Sequence, residues 1–233
     1  VRVLFNADDF GLTEGVTDGI IQAHTNGVVQ STTLMMNGLA KDYAVEKAKQ
    51  FPSLRVGIHL VLTWGVPLSK EVPSLINAQG LFKYTSSFEE MDPPRLEDVE
   101  KEWRTQLNAF IATGIPLHHI DSHHHVHGWE ALKNVVLTLA EEYCVPVRYV
   151  DSLKKHPTVL LSEVLWLNFY DNGISKDIFN SLQQFKGKTV EVMTHPAIVD
   201  DPLKAISSYQ EKRAEELSIL CALKIPEWVE LME

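Results

Sequence analysis

The chain has little cysteine, no surplus of positive charge and no long apolar run, and each shortage closes a class of explanation. Among 233 residues only Cys144 and Cys221 are cysteines, too few for a disulfide framework, so both are expected to be small buried hydrophobes. Lysine and arginine number 21 against 31 aspartates and glutamates, a formal charge of −10. With no basic cluster to neutralise phosphates, neither nucleic acid nor an anionic membrane is an expected partner, and a neutral ligand suits the balance better. No apolar stretch approaches the roughly 20 residues that cross a bilayer. "VRVLFNADD" is too short and too acidic to be a secretion signal, which leaves the cytoplasm as the default compartment. No glycine-rich phosphate loop follows the first apolar run, so the usual nucleotide-site argument falls away.

What is present is an ordinary globular mixture, 45% hydrophobic and 22% charged, sufficient for a sizeable core. Apolar runs alternate with segments of helical period. "VRVLFN", "VVQSTTLMMN", "LRVGIHLVL", "PLHHIDSH", "VPVRYV" and "KTVEVMTH" read as strands. Between and after them, "TEGVTDGIIQAHTNG", "YAVEKAKQF", "LEDVEKEWRTQLNAFIATG", "WEALKNVVLTLAEEY", "ISKDIFNSLQQF" and "SSYQEKRAEELSILCAL" read as helices. In the third helix Leu96, Val99, Trp103, Leu107, Phe110 and Ile111 form the apolar stripe, and Gly114 stops it. Six strands with crossover helices predict a parallel α/β fold, and the missing nucleotide loop favours a (β/α) barrel of eight strands or fewer over an open sheet. One domain spans residues 1–233, and the Pro-, Gly- and Ser-rich stretch from about 64 to 94 is a loop insertion expected to act as a lid.

In a parallel barrel, reactive groups collect where strands end. Here Asp8 and Asp9 end the first strand, His59 the third, Asp121 and His123 the fourth, and His195 the last, with Arg148 near the end of the fifth. The densest stretch is "HIDSHHHVHG", with five histidines in ten positions. Strand alternation would place Asp121, His123, His125 and His127 on one face and His124 on the other. A site with room for water and substrate needs about two histidines and a carboxylate, which Asp9, His59 and one histidine of 123–125 provide. The neighbouring aspartate could then take a proton from water and His195 could supply one, a hydrolytic combination. Taken singly, these features have plainer explanations. "NADDFG" is also a helix-capping turn, His59 and His195 also read as core histidines, Arg148 as a surface ion-pair partner and Trp64 as a packed loop anchor. Their shared placement at strand ends favours the site. His24, His118, His119 and His156 lack that placement and read as structural.

Five stretches in register, "NADDFGLTEGVTDGI", "GVVQSTTLMMNG", "PSLRVGIHLVLTWGVPL", "HIDSHHHVHG" and "EVMTHPAIVD", resemble the YdjC-like carbohydrate deacetylases, which include chitooligosaccharide deacetylases. The resemblance covers most of the chain. It implies a distorted (β/α) TIM-like barrel related to polysaccharide deacetylases, one divalent metal ion, and removal of an acetyl group from an N-acetylated sugar or oligosaccharide. By position, His59 and His123 match the metal-binding histidines and the aspartate pair supplies ligand and base, with Asp9 assigned to the metal and Asp8 to the base. His195 matches the acid, Arg148 a residue that orients a carboxylate, and Asp121, His125, His127 and Trp64 lie in supporting or substrate-facing positions. The family implies magnesium, whereas two imidazoles and a carboxylate would equally suit zinc or another transition metal. "LCALKIPEWVELME" departs from the family pattern, which leaves oligomer contacts open, a homodimer included. Two rivals remain: an amidohydrolase- or phosphoesterase-type metal hydrolase using His125 and His127 as an H-x-H pair, and a sugar-binding barrel without turnover.

Overall fold

The computed structural model describes residues 1–232. Seven strands follow in chain order: β1 (Arg2–Phe10), β2 (Ser31–Leu34), β3 (Arg55–Leu60), β4 (Ile120–Ser122), β5 (Val164–Trp166), β6 (Thr189–Thr194) and β7 (Glu230–Leu231). Every β1 residue beyond Arg2 is buried, which is why its first part, Val3 to Phe5, reads as a continuous apolar run rather than an alternating one, while Asn6, Asp8 and Asp9 carry polar groups into the interior. The sheet order is β4-β3-β2-β1-β6-β5, all pairings are parallel, and β7 lies beside the first residues of β1.

Seven helices complete the alternation: α1 (Glu14–Thr25), α2 (Lys41–Gln50), α3 (Leu96–Ile111), α4 (Lys133–Tyr143), α5 (Ile178–Leu182), α6 (Asp201–Ile206) and α7 (Glu211–Ala222). Local chemistry sets several of their starts. The Thr13 hydroxyl accepts from the Val16 amide at 3.2 Å to cap α1, and Asp200 accepts from Leu203 at 2.9 Å to cap α6, where Pro202 needs no donor of its own. This is an α/β fold with fewer than eight strands, a parallel sheet curved as a distorted TIM-like barrel.

The fifth strand expected at 145–150 does not form. Val147 alone makes bridges, to Ile120 on one side and Leu160 on the other. Pro146 brings no amide to a ladder, and Arg148 turns a charged side chain into the barrel, so the segment passes through the wall without extending it. The strand that flanks β6 opposite β1 is β5, three half-buried residues that no sequence pattern marks. The helix expected over 174–185 shrinks to α5 and one 3-10 turn, Gln183–Phe185, while α6 was not anticipated. Cys144 is exposed and Cys221 half-buried, both free, so neither is the fully buried hydrophobe expected.

The α3 stripe is also revised. Leu96 and Ile111, at its ends, are exposed, while Val99, Trp103, Leu107 and Phe110 are buried together with three polar residues, Asp98, Glu102 and Gln106. Those polar residues explain the 64–94 insertion. Glu102 accepts from the amides of Leu68 and Ser69 at 2.9 and 2.7 Å, Asp98 accepts from Ser74 at 2.9 Å, and Gln106 bonds both backbone groups of Val61. Farther along, Tyr84 and Phe88 pack against Trp129. The segment read as a lid is therefore fastened at both stretches, to α3 and to the loop after β4.

Candidate functional site

Two adjacent aspartates reach one cavity because β1 carries a bulge. Ala7 pairs with Thr32 and Phe10 with Leu34, three steps along β1 against two along β2, and Asp9 sits at φ 69°. The extra residue breaks the alternation that would send the two side chains apart. Asp8 and Asp9 consequently line the same cavity of about 470 Å³, with His59, His123 and His195.

Asp9 Oδ1 lies 3.4 Å from His59 Nε2 and 3.2 Å from His123 Nδ1, and donor atoms of the three lie within 4.8 Å of one another. His59 is aimed by its other nitrogen. Nδ1 donates to Asp121 Oδ1 at 2.6 Å, with Thr33 Oγ1 3.1 Å away and itself donating to Asp121 Oδ2 at 2.9 Å. Burial opposes charge on this ring, yet the Asp121 carboxylate and its hydrogen bond, joined by Asp9 and Asp8, push the His59 pKa up to about 10. Asp9 shows the converse. Burial raises its pKa, but Arg213, followed by His123 and His59, holds it well below the usual carboxylate range.

Beneath this trio lies a fully buried guanidinium. Arg148 donates two 2.6 Å hydrogen bonds to the oxygens of Asp8 and one of 2.8 Å to Glu191 Oε1, and its Nη2 forms an ion pair with Asp121 Oδ2 at 2.9 Å. Asn6 adds a 2.9 Å bond to Asp8 Oδ1. Despite the burial, Arg148 keeps Asp8 ionised far below its ordinary pKa. Glu191 goes the other way, because burial outweighs its single bond to Arg148 and pushes it up to about 7. Arg148 is thus an interior ion-pair partner, not the surface one that its sequence context alone suggested.

The histidine-rich stretch departs from strand alternation altogether. β4 ends at Ser122, and His123–Gly128 is a 3-10 turn in which His124 and His125 adopt left-handed φ values of 54° and 56°. His123, His124 and His125 all line the cavity as a result. His124 meets Thr63 Oγ1 at 3.1 Å, and His125 Nδ1 is buried without a partner. His127 does not line the cavity. Its Nδ1 meets Ser122 Oγ at 2.6 Å and its Nε2 meets the Arg148 carbonyl at 3.3 Å, so both nitrogens are engaged in holding the turn. An H-x-H pair from His125 and His127 gains nothing from this arrangement.

The opposite wall was largely missed from sequence. His195, at the end of β6, places Nε2 3.9 Å from Asp8 Oδ2, while its Nδ1 is buried and unpartnered. Burial, only partly offset by Asp8, pushes its pKa down to about 4, so the ring is neutral near pH 7. Tyr170 and Tyr209 stack on each other at 4.2 Å and both meet the His195 ring edge-on. Glu216, on α7, accepts from the His195 amide at 2.5 Å and from the Tyr209 hydroxyl at 2.6 Å. One turn earlier on α7, Arg213 donates to Asp9 Oδ2 at 2.6 Å. A signal existed: Arg213 and Glu216 lie on the same stripe as Leu217 and Leu220, two charged residues on an apolar face. Trp64 stands half-buried at the cavity rim.

The donor set fits a divalent cation. Three buried aspartates, Asp8, Asp9 and Asp121, face two buried guanidiniums, Arg148 and Arg213, which leaves an excess of negative charge around one carboxylate oxygen and two imidazoles. The raised pKa of His59 reflects the same excess, with a proton supplying the missing positive charge.

Comparison with known proteins follows the same lines. A family model described as YdjC-like protein matches residues 2–231. A protein named carbohydrate deacetylase from Oceanobacillus iheyensis is 56% identical over 230 residues, covering 99% of this chain and 100% of that one. One of the same name from Geobacillus stearothermophilus is 46% identical, over 93% of this chain and 88% of that one. A crystal structure from Enterococcus faecalis V583, of a protein named for cellobiose-phosphate cleavage, superposes with a TM-score of 0.88 at 37% identity, covering 94% of this chain and 90% of that one. With likeness in sequence and in fold running nearly end to end, the chain belongs to the YdjC-like family.

Proposed function

We propose that this chain is a metal-dependent carbohydrate deacetylase that hydrolyses the N-acetyl amide of an amino sugar or short chitooligosaccharide, on a single domain with the 64–94 insertion beside the cavity. The observation that carries the reading is the convergence of His59 Nε2 and His123 Nδ1 on Asp9 Oδ1, with Asp8 and His195 lining the same cavity. The relatives named carbohydrate deacetylase support the choice of substrate class.

Asp9, His59 and His123 would hold the cation, and imidazole-rich coordination suits zinc, cobalt, nickel or iron as well as the magnesium suggested by resemblance. Bound there, a divalent cation supplies Lewis acidity toward the amide carbonyl and lowers the pKa of water. Asp121 fixes the His59 tautomer by accepting the hydrogen bond from Nδ1–H, which leaves Nε2 toward the cavity. Asp8, oriented by Arg148, takes the proton of the attacking water. His195, neutral and 3.9 Å from Asp8 Oδ2, receives that proton and passes it to the departing amine. The proton balance closes, since one proton leaves water and one arrives on nitrogen. Trp64 and Tyr170 offer aromatic faces at the rim for the sugar ring, and His125 is a substrate-facing group.

Metal content and acetate release from N-acetylglucosamine oligomers test this reading on the parent and on Asp8→Asn, Asp9→Asn and His123→Ala. Asp9→Asn and His123→Ala should lose metal and activity together, and Asp8→Asn should lose activity by about 10²-fold or more while keeping metal. Unchanged metal content and acetate release across all three would sink the assignment. Metal and sugar binding without acetate release from any acetylated sugar would point to a binding protein.

A further inference from the structure

Arg213 is a buried cation that the local structure does not fully satisfy. It is 4% exposed, donates from Nε to the Tyr209 carbonyl at 3.0 Å and from Nη2 to Asp9 Oδ2 at 2.6 Å, and its Nη1 has no partner. An unpartnered nitrogen on a buried guanidinium is unfavourable, and packing alone would be better served by an apolar residue among Leu217 and Leu220 on the same α7 stripe. Departures of this kind concentrate where function demands a charge. The two bonds that Arg213 does make fix its plane against the Tyr209 carbonyl, just before α7, and against one oxygen of Asp9. That leaves the other oxygen, Oδ1, as the one facing both His59 and His123.

We propose that Arg213 is a positioning residue for the metal centre: by occupying Oδ2 it makes Asp9 a one-oxygen donor aimed between His59 and His123, which keeps coordination positions free for water and substrate. The inference rests on the deacetylase reading's metal site and adds a residue that acts on it through Asp9 rather than as a ligand. The physical need is clear. A carboxylate free to swing can offer both oxygens to a cation and fill a position that a hydrolase must leave open. Lysine in place of Arg213 keeps the charge but cannot reach Asp9 and the Tyr209 carbonyl together through a planar fork.

The test uses Co²⁺ as a visible probe on the metal-free 233-residue chain, with Arg213→Gln, Arg213→Lys and Asp9→Asn. Calorimetric titration gives affinity, the cobalt d–d spectrum reports coordination, and thermal melts report folding. Both Arg213 variants are expected to change Co²⁺ affinity by about 10-fold or more, with a visible spectrum shifted toward higher coordination as Asp9 offers its second oxygen. Arg213→Lys should remain folded, so that the effect is not one of global stability. Guanidinium ion added to Arg213→Gln should restore part of the parent spectrum. Normal uptake by the parent with unchanged affinity and spectrum in both Arg213 variants overturns this inference and leaves the metal site standing. A parent that takes up no cobalt, or that holds it equally well after Asp9→Asn, removes the metal site and this inference with it.

Discussion

Arg148 and Arg213 each hold one of two adjacent aspartates, yet they belong to regions built on different terms. Around Arg148, at the barrel floor, every guanidinium nitrogen is engaged, by Asp8, Asp121 and Glu191, and all four side chains are 3% exposed or less. Around Arg213, at the mouth, buried nitrogens of Arg213, His195 and His125 have no partners. The floor is a nearly closed network whose geometry is set by mutual charge, and removing a member leaves others stranded in low dielectric. The mouth keeps hydrogen-bonding capacity unspent, as the proposed deacetylase site requires. The floor has its own weak points, Glu191 Oε2 and His119 Nε2, both buried and unpartnered.

Breaking the floor should have the largest effect on stability. Arg148→Met would leave three buried carboxylates without their cation and is expected to destabilise the chain by about 3–5 kcal/mol, measured by urea unfolding; a loss below about 1 kcal/mol would show that the network is not what holds this region. A smaller effect isolates Glu191. Its folded pKa is raised to about 7 from an ordinary 4.5. The folded state therefore holds the proton more tightly, so the group's contribution is full below pH 4.5 and is lost as pH rises through 7. Between pH 5 and 8 the parent should lose stability, on the order of 2 kcal/mol, relative to Glu191→Gln. Superimposable pH profiles for the two proteins would remove the buried charge as the cause.

The same division decides what the sequence made legible. Near the regular wall of β1, β2, β3 and β6, apolar runs and helix caps point to one structure, so the strand ends carrying Asp8, Asp9, His59 and His195 could be read in order. Two features there were hidden. The bulge that brings Asp8 and Asp9 together depends on pairing with β2, which no local pattern announces. The turn at 123–128 ends β4 early because the chain takes left-handed conformations at two histidines, residues that carry no glycine-like signal. From 144 to 187 the wall is held by single bridges at Val147, by the three-residue ladder of β5 on β6 and by Arg148, interactions between residues distant in sequence, and there the expected strand and helix were misplaced. Arg213 and Glu216 were overlooked for a related reason. On a helix full of charge, their shared stripe with Leu217 and Leu220 is the only signal, and packing shows that both are buried against the site.

The insertion provides an intermediate case, a region outside the barrel wall held by buried carboxylates. Glu102→Ala would strand the amides of Leu68 and Ser69 and is expected to lose about 1–3 kcal/mol, with proteolytic cleavage inside 64–94 appearing before global unfolding. If cleavage and unfolding stay coupled at the parent rate, Glu102 does not fasten the insertion, and its role as a mobile lid returns.

The sharpest contrast with Arg148→Met comes from the mouth, where the expected stability effect is smallest. The His123 side chain is 15% exposed and its polar contact is one 3.2 Å approach to Asp9. Its ring lies 4.0 Å from that of His124 on a turn that His127 and Ser122 hold by other bonds. His123→Ala should therefore change unfolding free energy by less than about 1 kcal/mol, while metal retention and acetate release fall by about 10²-fold or more. The direction of that separation matters more than its size. A residue that served the fold would lose stability and activity in proportion, whereas a ligand at a site with unspent capacity loses activity alone. An unfolding loss comparable to that of Arg148→Met would erase the distinction between floor and mouth and make the whole cluster one structural network.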